Sequence, residues 1–218
     1  MMPDKIWLEL VDLFMQARFR DLIEVSQDVL MEFPEESKLL NIVGLSYENE
    51  YDLKQAINFY NRAIKAMPEN AVALFNLGNA YWKSKDNRAA ISAYEASLSI
   101  EPDHETYLNL GNAQQEIGDS EGALDSYYAA LQIAPDYPAV YINIGFLLQE
   151  SGNYQGATAN YQRALELEPD NKTANAALGL ALLSIGKIRE GLKYQTAGVG
   201  ALKFSLNSGV TIHSGVSS

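Results

Sequence analysis

The chain has 218 residues, of which 47% are hydrophobic, and it carries a formal net charge of −12 at neutral pH. It contains no cysteine, which excludes disulfides, thiolate zinc sites, iron–sulfur clusters and cysteine nucleophiles. Nucleic-acid binders neutralise phosphates with lysine and arginine, so we do not expect this acidic chain to bind nucleic acid or an anionic membrane.

The first 36 residues predict a degenerate helix pair that caps the chain. Charged side chains interrupt the apolar residues of segment 1–21, so neither a signal peptide nor a membrane span is expected there. We therefore expect a soluble, cytoplasmic protein. Four large apolar residues form the predicted core face of this capping unit: Trp7, Leu10, Leu13 and Phe14.

A short pattern then recurs along the chain. A large aliphatic residue followed by glycine stands at five positions, 33 or 34 residues apart: Gly44, Gly78, Gly111, Gly145 and Gly179. Twelve residues after each of the first four glycines lies an alanine, and twelve residues later a proline. A recurrence at this period indicates repeated helix pairs.

The unit that begins at Ala71 shows what each repeat predicts. Its first stripe has helical spacing and comprises Leu74, Leu77, Gly78 and Tyr81. A polar break at 85–87 separates this stripe from a second one that begins at Ala90. Glycine costs a helix interior about 1 kcal/mol. We therefore expect Gly78 to face a small alanine of the second helix and to let the two antiparallel backbones approach closely.

Proline and acidic residues mark the repeat boundaries. Pro102 cannot continue a helix, and the carboxylate of Asp103 can cap the free N–H groups of the next one. The same boundary recurs as Pro68-Glu69-Asn70, Pro135-Asp136 and Pro169-Asp170. We therefore assign most of the acidity to caps and solvated helix faces, in preference to an acidic recognition surface.

These residues resemble the tetratricopeptide repeat, and the match covers residues 37–186. In the unit 37–70 it runs through Leu40, Val43, Gly44, Tyr47, Ala56, Tyr60, Ala63 and Pro68. The resemblance implies an all-α, right-handed α-solenoid of about five to six antiparallel helix pairs, a tetratricopeptide superhelix. The predicted units are a cap at 1–36, repeats at 37–70, 71–103, 104–137 and 138–171, a divergent repeat or capping helices at 172–204, and a tail at 205–218.

The C-terminal part departs from the pattern. The second helix of unit 172–204 carries Gly191, Gln195 and Gly198 where small and aromatic contacts are expected, so we expect it to be the weakest helix. The tail is rich in serine and glycine, which favours a flexible segment. Its alternating Val210, Ile212 and Val216 leave a paired strand as the alternative.

The resemblance also implies that positions 2, 5, 6, 9, 12 and 13 of each repeat face a concave groove. Asparagines occupy positions 6 and 9 and form two columns: Asn76, Asn109 and Asn143, and Asn79 and Asn112. A carboxamide offers donors and an acceptor, so such columns can bind the backbone of an extended peptide. Similar ladders line the tetratricopeptide superhelix of the O-linked N-acetylglucosamine transferase family. The alternative is that these asparagines, which are common in the repeat family, contact no ligand.

An apolar strip is predicted beside the asparagines. It comprises Phe75, Leu108, Ile142, Phe146 and Trp82, and Trp82 is the first candidate for a binding hot spot. The alternative is that Phe75 and Leu108 in particular pack between neighbouring helices.

Catalytic, cofactor and metal sites are not predicted. The two histidines, His104 and His213, lie at a repeat boundary and in the tail, so neither a His-based triad nor a two-histidine metal motif is available. Phosphate-loop and dinucleotide-binding motifs are absent from the sequence. Glu116 and Glu150 occupy matching positions, which favours a solvated groove rim over a catalytic pair.

The sequence therefore predicts a protein–protein interaction scaffold or adaptor, not an enzyme, that binds another protein or peptide as a monomer or weak homo-oligomer. The cationic clamp that would hold a chaperone's C-terminal carboxylate is missing, because its positions hold Asn41, Leu45, Asn76 and Glu105 or Asn109. Two alternatives stay open. The chain is the N-terminal recognition region of a larger transferase or oxygenase, or it self-associates through its tail.

Overall fold

The computed structural model describes residues 2–199, 203–205 and 209–211. This part of the chain contains twelve helices joined by three or four residues, as predicted for an all-α chain of about six helix pairs. The helices are α1 Asp4–Met15, α2 Phe19–Glu32, α3 Ser37–Asn49, α4 Leu53–Ala66, α5 Ala71–Lys83, α6 Asn87–Ile100, α7 His104–Glu116, α8 Ser120–Ile133, α9 Pro138–Glu150, α10 Tyr154–Leu167, α11 Lys172–Ser184 and α12 Ile188–Val199. They lie in two compact units, Met1–Ser126 and Tyr127–Ser218.

Short polar side chains begin many of the helices. Each accepts a hydrogen bond from the backbone N–H three residues later, which satisfies one of the free donors of a first turn. These caps are Asp52, Asn70, Asp86, Asp103, Asp119, Asn153 and Asn171. The predicted cap at Asp103 is confirmed. Asp136 is not a cap, because α9 begins after Tyr137, and its Oδ1 instead accepts from Arg163 at 3.1 Å.

The repeated glycine makes room for an aromatic ring, which corrects the expectation that it faces an alanine. A Cβ atom built on Gly44 would lie 2.6 Å from the ring of Tyr60, and one built on Gly78 would lie 2.5 Å from the ring of Tyr94. The three atoms nearest to such a Cβ all belong to the tyrosine. Gly145 meets Tyr161 in the same way. The first helix can therefore pack on the tyrosine face only where it has no side chain.

The buried tyrosines also keep hydrogen-bond partners for their hydroxyl groups. Tyr60 donates to Glu48 at 2.6 Å, and Tyr94 donates to Asn79 Oδ1 at 2.8 Å. Burial raises the pKa of both hydroxyl groups, and the negative charge of Glu48 raises it further. The phenols therefore remain protonated donors well above the pH at which a free tyrosine ionises.

In the last pair, α11 and α12, the repeated glycine Gly179 does not meet a tyrosine ring. A Cβ on Gly179 would lie 2.7 Å from the backbone nitrogen of Gln195 and 2.9 Å from the carbonyl oxygen of Gly191. The amide of Gln195 donates to the carbonyl of Ala176 at 2.8 Å. Two glycines thus allow these helices to pack backbone against backbone, and the glutamine replaces the ring contact with a hydrogen bond.

Successive first helices contact one another within each unit. In unit Met1–Ser126, α1 contacts α3, α3 contacts α5 and α5 contacts α7, while α2, α4 and α6 each pack against the next first helix. In the other unit α9 contacts α11 in the same manner. Side chains that project from a row of first helices therefore share one surface within a unit.

A short antiparallel hairpin follows the helices. Its strands are β1 Lys203–Ser205 and β2 Gly209–Thr211, and Phe204 is paired with Val210. Val210 thus lies in a paired strand, which is the alternative prediction for the tail. Ile212, His213 and Val216 lie outside the described residues.

The glycine–tyrosine contact predicts opposite effects for two alanine substitutions in one unit. Gly145→Ala should lower the free energy of unfolding by about 1 to 3 kcal/mol, because its methyl group would overlap the ring of Tyr161. Gly156→Ala should raise it by up to about 1 kcal/mol through helix propensity. Its methyl group would lie 2.8 Å from the flexible amide of the cap Asn153, a contact that can relax, since α5, α6 and α11 carry alanine at the same position three residues after the cap. Urea unfolding followed by circular dichroism measures both, and equal effects of the two substitutions would contradict the packing.

The raised tyrosine pKa predicts a loss of stability in alkali. Above pH 10 the unfolded chain releases the phenolic proton of Tyr94 while the folded chain retains it, so stability present below pH 10 is lost as the pH rises. Between pH 10 and 11 the wild type should lose up to about 1.4 kcal/mol more than Tyr94→Phe. Urea midpoints at pH 8 and pH 11 measure this difference, and lysine titration affects both proteins alike. Identical losses would show that Tyr94 ionises in the folded state.

Candidate partner-binding surface

Residues of the first three helix pairs line an open cavity of about 500 Å³ within unit Met1–Ser126. Its walls come from α1, α3, the start of α5 and the C-terminal ends of α4 and α6. The lining residues are Trp7, Val11, Phe14, Lys38, Asn41, Ile42, Leu45, Met67, Glu69, Asn70, Ala71, Val72, Ile100 and Glu101. Three consecutive first helices thus contribute to one concave site.

A second cavity of about 280 Å³ adjoins the first, because the two share Ala71, Val72 and Glu101. It adds residues from α5, α6, α7 and the segment before α7, namely Phe75, Ser97, Asp103, Glu105 and Thr106. We call the two together the N-terminal trough. The trough runs from α1 to the start of α7, so four consecutive helix-pair units contribute residues to its lining.

The trough exposes large apolar side chains to solvent. Val72 is 57% exposed, Met67 49% and Ile100 39%. Helix α1 contributes three half-buried side chains to the trough, Trp7, Val11 and Phe14. They also pack against the buried hydrophobic core of this unit. Covering such side chains with a partner is favourable, since burial of apolar surface contributes about 25 cal/mol per Å².

Carboxylates dominate the charge of the trough. Among its described lining residues Lys38 is the one cation, against Glu69, Glu101, Asp103 and Glu105. Asp103 caps α7 through Thr106 at 2.8 Å. The side chains of the three glutamates are exposed and take part in no hydrogen bond or ion pair among the described residues. The trough therefore offers three uncommitted negative charges beside an apolar floor.

Some carboxylates elsewhere in this unit are paired with its own cations. Glu48 pairs with Lys83 at 2.6 Å and Glu50 pairs with Arg20 at 2.6 Å. Asp21 pairs with Arg18, also at 2.6 Å. Other acidic residues cap helices, as described above, so part of the acidity has the structural role expected from the sequence.

The structure places three of the predicted groove asparagines in two separate sets of hydrogen bonds. Asn76 is buried and donates to Asn41 Oδ1 at 3.1 Å. Asn109 donates to Asn79 Oδ1 at 3.2 Å, and the same oxygen accepts from Tyr94. These amides join neighbouring first helices and hold a tyrosine, so each already has a structural function.

The two other asparagines also have partners. A hydrogen bond joins Asn143 to the hydroxyl of Tyr127 in unit Tyr127–Ser218. Asn112 is half-buried in the first unit and is likewise engaged. The structure therefore accounts for these side chains through intramolecular contacts, and their part in binding a ligand stays a prediction.

The residues of the predicted apolar strip differ in how deeply they are buried. Leu108 and Ile142 are buried, with 9% and 7% exposure, in the first and second units respectively. Phe75 packs on Tyr94 with ring centroids 6.1 Å apart, and Phe146 packs on Tyr161 at 5.7 Å. Among the residues predicted for the partner-binding groove, Phe75 is the one that lines the trough. Trp82 is 37% exposed with the ammonium of Lys85 5.7 Å from its ring centre.

One wall of the trough can be predicted from the sequence by the groove positions of the first repeat, which carry few asparagines. In repeat 37–70 the groove positions 2, 5, 6 and 9 are Lys38, Asn41, Ile42 and Leu45, and all four line the first cavity. Trp7 and Phe14 were assigned to the core of a cap, but they also line this cavity. Applying the same positional rule from the first repeat onward would have found the site.

The described part of the chain contains no group of three or more histidine, aspartate or glutamate side chains arranged to hold a metal ion. None of its helices combines the length and apolarity that crossing a bilayer requires.

Family models match three segments of the chain. Models described as "Tetratricopeptide repeat" match residues 49–113 and 104–137, and one described as "TPR repeat" matches residues 149–186. A curated relative, the chloroplastic tetratricopeptide repeat domain-containing protein PYG7 of Arabidopsis thaliana, is 33% identical over 69 residues. That match covers 32% of this chain and 23% of the relative's length.

Solved structures share the fold over most of the chain. The crystal structure of MamA has a TM-score of 0.68 and 25% identity, covering 72% of this chain and 92% of that one. YrrB, described as "a TPR protein with an unusual peptide-binding site", has a TM-score of 0.67 and 17% identity, covering 81% and 92%. The helix pairs, the glycine–tyrosine contacts and these matches lead to one conclusion: this chain carries tetratricopeptide repeats.

Proposed function

We propose that this chain is a protein-interaction scaffold that binds a segment of a partner polypeptide in the N-terminal trough. The observation that carries the proposal is the trough itself, in which exposed and half-buried apolar side chains from three helix pairs surround one concave surface. A concave apolar site with a few polar groups is the usual form of a ligand site. YrrB, whose fold is similar, is described as having a peptide-binding site.

The size of the trough is compatible with modest affinity. If a partner covered about 400 Å² of apolar surface, the gross gain would be about 10 kcal/mol. Association itself costs about 4 to 15 kcal/mol, so micromolar binding is the natural expectation. Such affinity suits a scaffold that assembles and releases its partner. We extend the proposal to a non-catalytic, cytoplasmic role in which the partner is a protein or peptide.

Selection of peptides from a random dodecapeptide display library tests this function with the full chain as bait. Enriched peptides should bind the wild type at micromolar concentration. They should bind the variant Met67→Ser, Val72→Ser, Ile100→Ser at least about tenfold more weakly, because it removes exposed apolar surface from the trough. Isothermal titration calorimetry measures both affinities.

The control replaces three apolar residues outside the trough that are more exposed than the three in it, Leu8→Ser, Met15→Ser and Met31→Ser. It should bind the enriched peptides as the wild type does. A library that yields no binder, or peptides that bind both variants with equal affinity, would contradict a function located in the trough.

A further inference from the structure

We infer that the N-terminal trough selects a segment in which apolar side chains stand next to lysine or arginine. This inference rests on the proposed function and adds the chemistry of the partner. The occupant is a segment of another polypeptide, extended along the first helices, with its apolar residues on the floor of the trough and its cations at the glutamates.

Charge complementarity is the first argument. Glu69 and Glu101 stand at the ends of successive repeats and Glu105 at the start of the next, and each lines one or both cavities. Their carboxylates have no partner among the described residues, and unlike the exposed, unpaired Glu24, Glu32 and Glu95 they line the trough beside its apolar side chains. Three unpaired carboxylates beside an apolar surface repel an acidic segment and attract a basic one.

The spacing of these glutamates is the second argument. Glu69 and Glu105 precede or begin the first helices of consecutive repeats, and Glu101 ends the second helix between them. Met67, Val72 and Ile100 lie one to three residues from Glu69 or Glu101 in sequence. Glu69 and Glu101 thus each accompany an exposed apolar side chain, and Glu105 lines the second cavity together with the half-buried Phe75. A segment that alternates apolar and basic residues can therefore satisfy both.

The chain's own C-terminal segment is a less suitable occupant. Residues 205–218 contain neither lysine nor arginine, so they offer no cation to the three glutamates. The net charge of −12 also opposes the docking of a second copy through an acidic surface.

Fluorescence anisotropy with synthetic nonapeptides tests the inference on the full chain. The probe contains three leucines, three lysines and three serines. One matched peptide has glutamate in place of lysine, and another has serine in place of leucine. The wild type should bind the probe at least about tenfold more tightly than either matched peptide, and the affinity should fall as salt screens the charges.

Two variants with altered charge test whether the lysines of the probe bind at the glutamates of the trough. Glu69→Gln, Glu101→Gln, Glu105→Gln should bind the probe about tenfold more weakly, since each exposed ion pair contributes at most a few-fold. The control Glu24→Gln, Glu32→Gln, Glu95→Gln changes the net charge equally at exposed, unpaired carboxylates outside the trough. It should stay within about twofold of the wild type.

Several outcomes would overturn the inference. They are a probe that does not bind, equal losses in the two charge variants, or a peptide of residues 205–218 that binds more tightly than the probe. The proposed function survives these outcomes if display-selected peptides still depend on Met67, Val72 and Ile100. It fails separately if that dependence is absent.

Discussion

A glycine packed on the face of a buried tyrosine sets the geometry of the helix pairs. In α3–α4, α5–α6 and α9–α10 the first helix approaches the ring so closely that even a methyl group would overlap it. The ring fills the space between two helices, and its hydroxyl needs an acceptor because the site is buried. Glu48, Asn79 and Gln149 supply that acceptor from the first helix. One residue pair therefore fixes both the distance and the register of each of these three hairpins.

The trough follows from this arrangement in the first unit. With each pair fixed internally, α1, α3, α5 and α7 contact one another in sequence and turn one face away from the second helices. The asparagines on that face bond across the row, as Asn76 does to Asn41 and Asn109 to Asn79. The row is thus held by its own amides, while the apolar and acidic side chains at its edges are left for a partner.

Much of the fold could be predicted from the sequence because its cause is local and periodic. The spacing of Gly44, Gly78 and Gly145 gives the repeat length, and the proline and cap at Pro102-Asp103 give a boundary. The contact partner of the glycine could not be obtained this way. Sequence periodicity says which residues share a face of one helix, but it does not say which residue on the neighbouring helix fills the space.

The candidate site was less predictable, for a related reason. The asparagine columns stand out in the sequence, yet an amide that suits a peptide backbone equally suits a neighbouring amide, and Asn79 is held by Tyr94 and Asn109. Conversely, Glu69 and Glu101 look like boundary residues, and only their position beside the trough and their lack of a partner distinguish them from caps. Burial and pairing depend on tertiary structure, so sequence alone assigned these residues to solvated faces.

The location of a bound segment is tested most directly by methyl NMR of the five methionines, with the leucine–lysine nonapeptide added in increasing amounts. Met67 lies in the trough, whereas Met15 and Met31 are exposed outside it. The account predicts that the Met67 signal shifts and saturates while those of Met15 and Met31 stay in place. Saturable binding that moves Met15 or Met31 and leaves Met67 unchanged would contradict it.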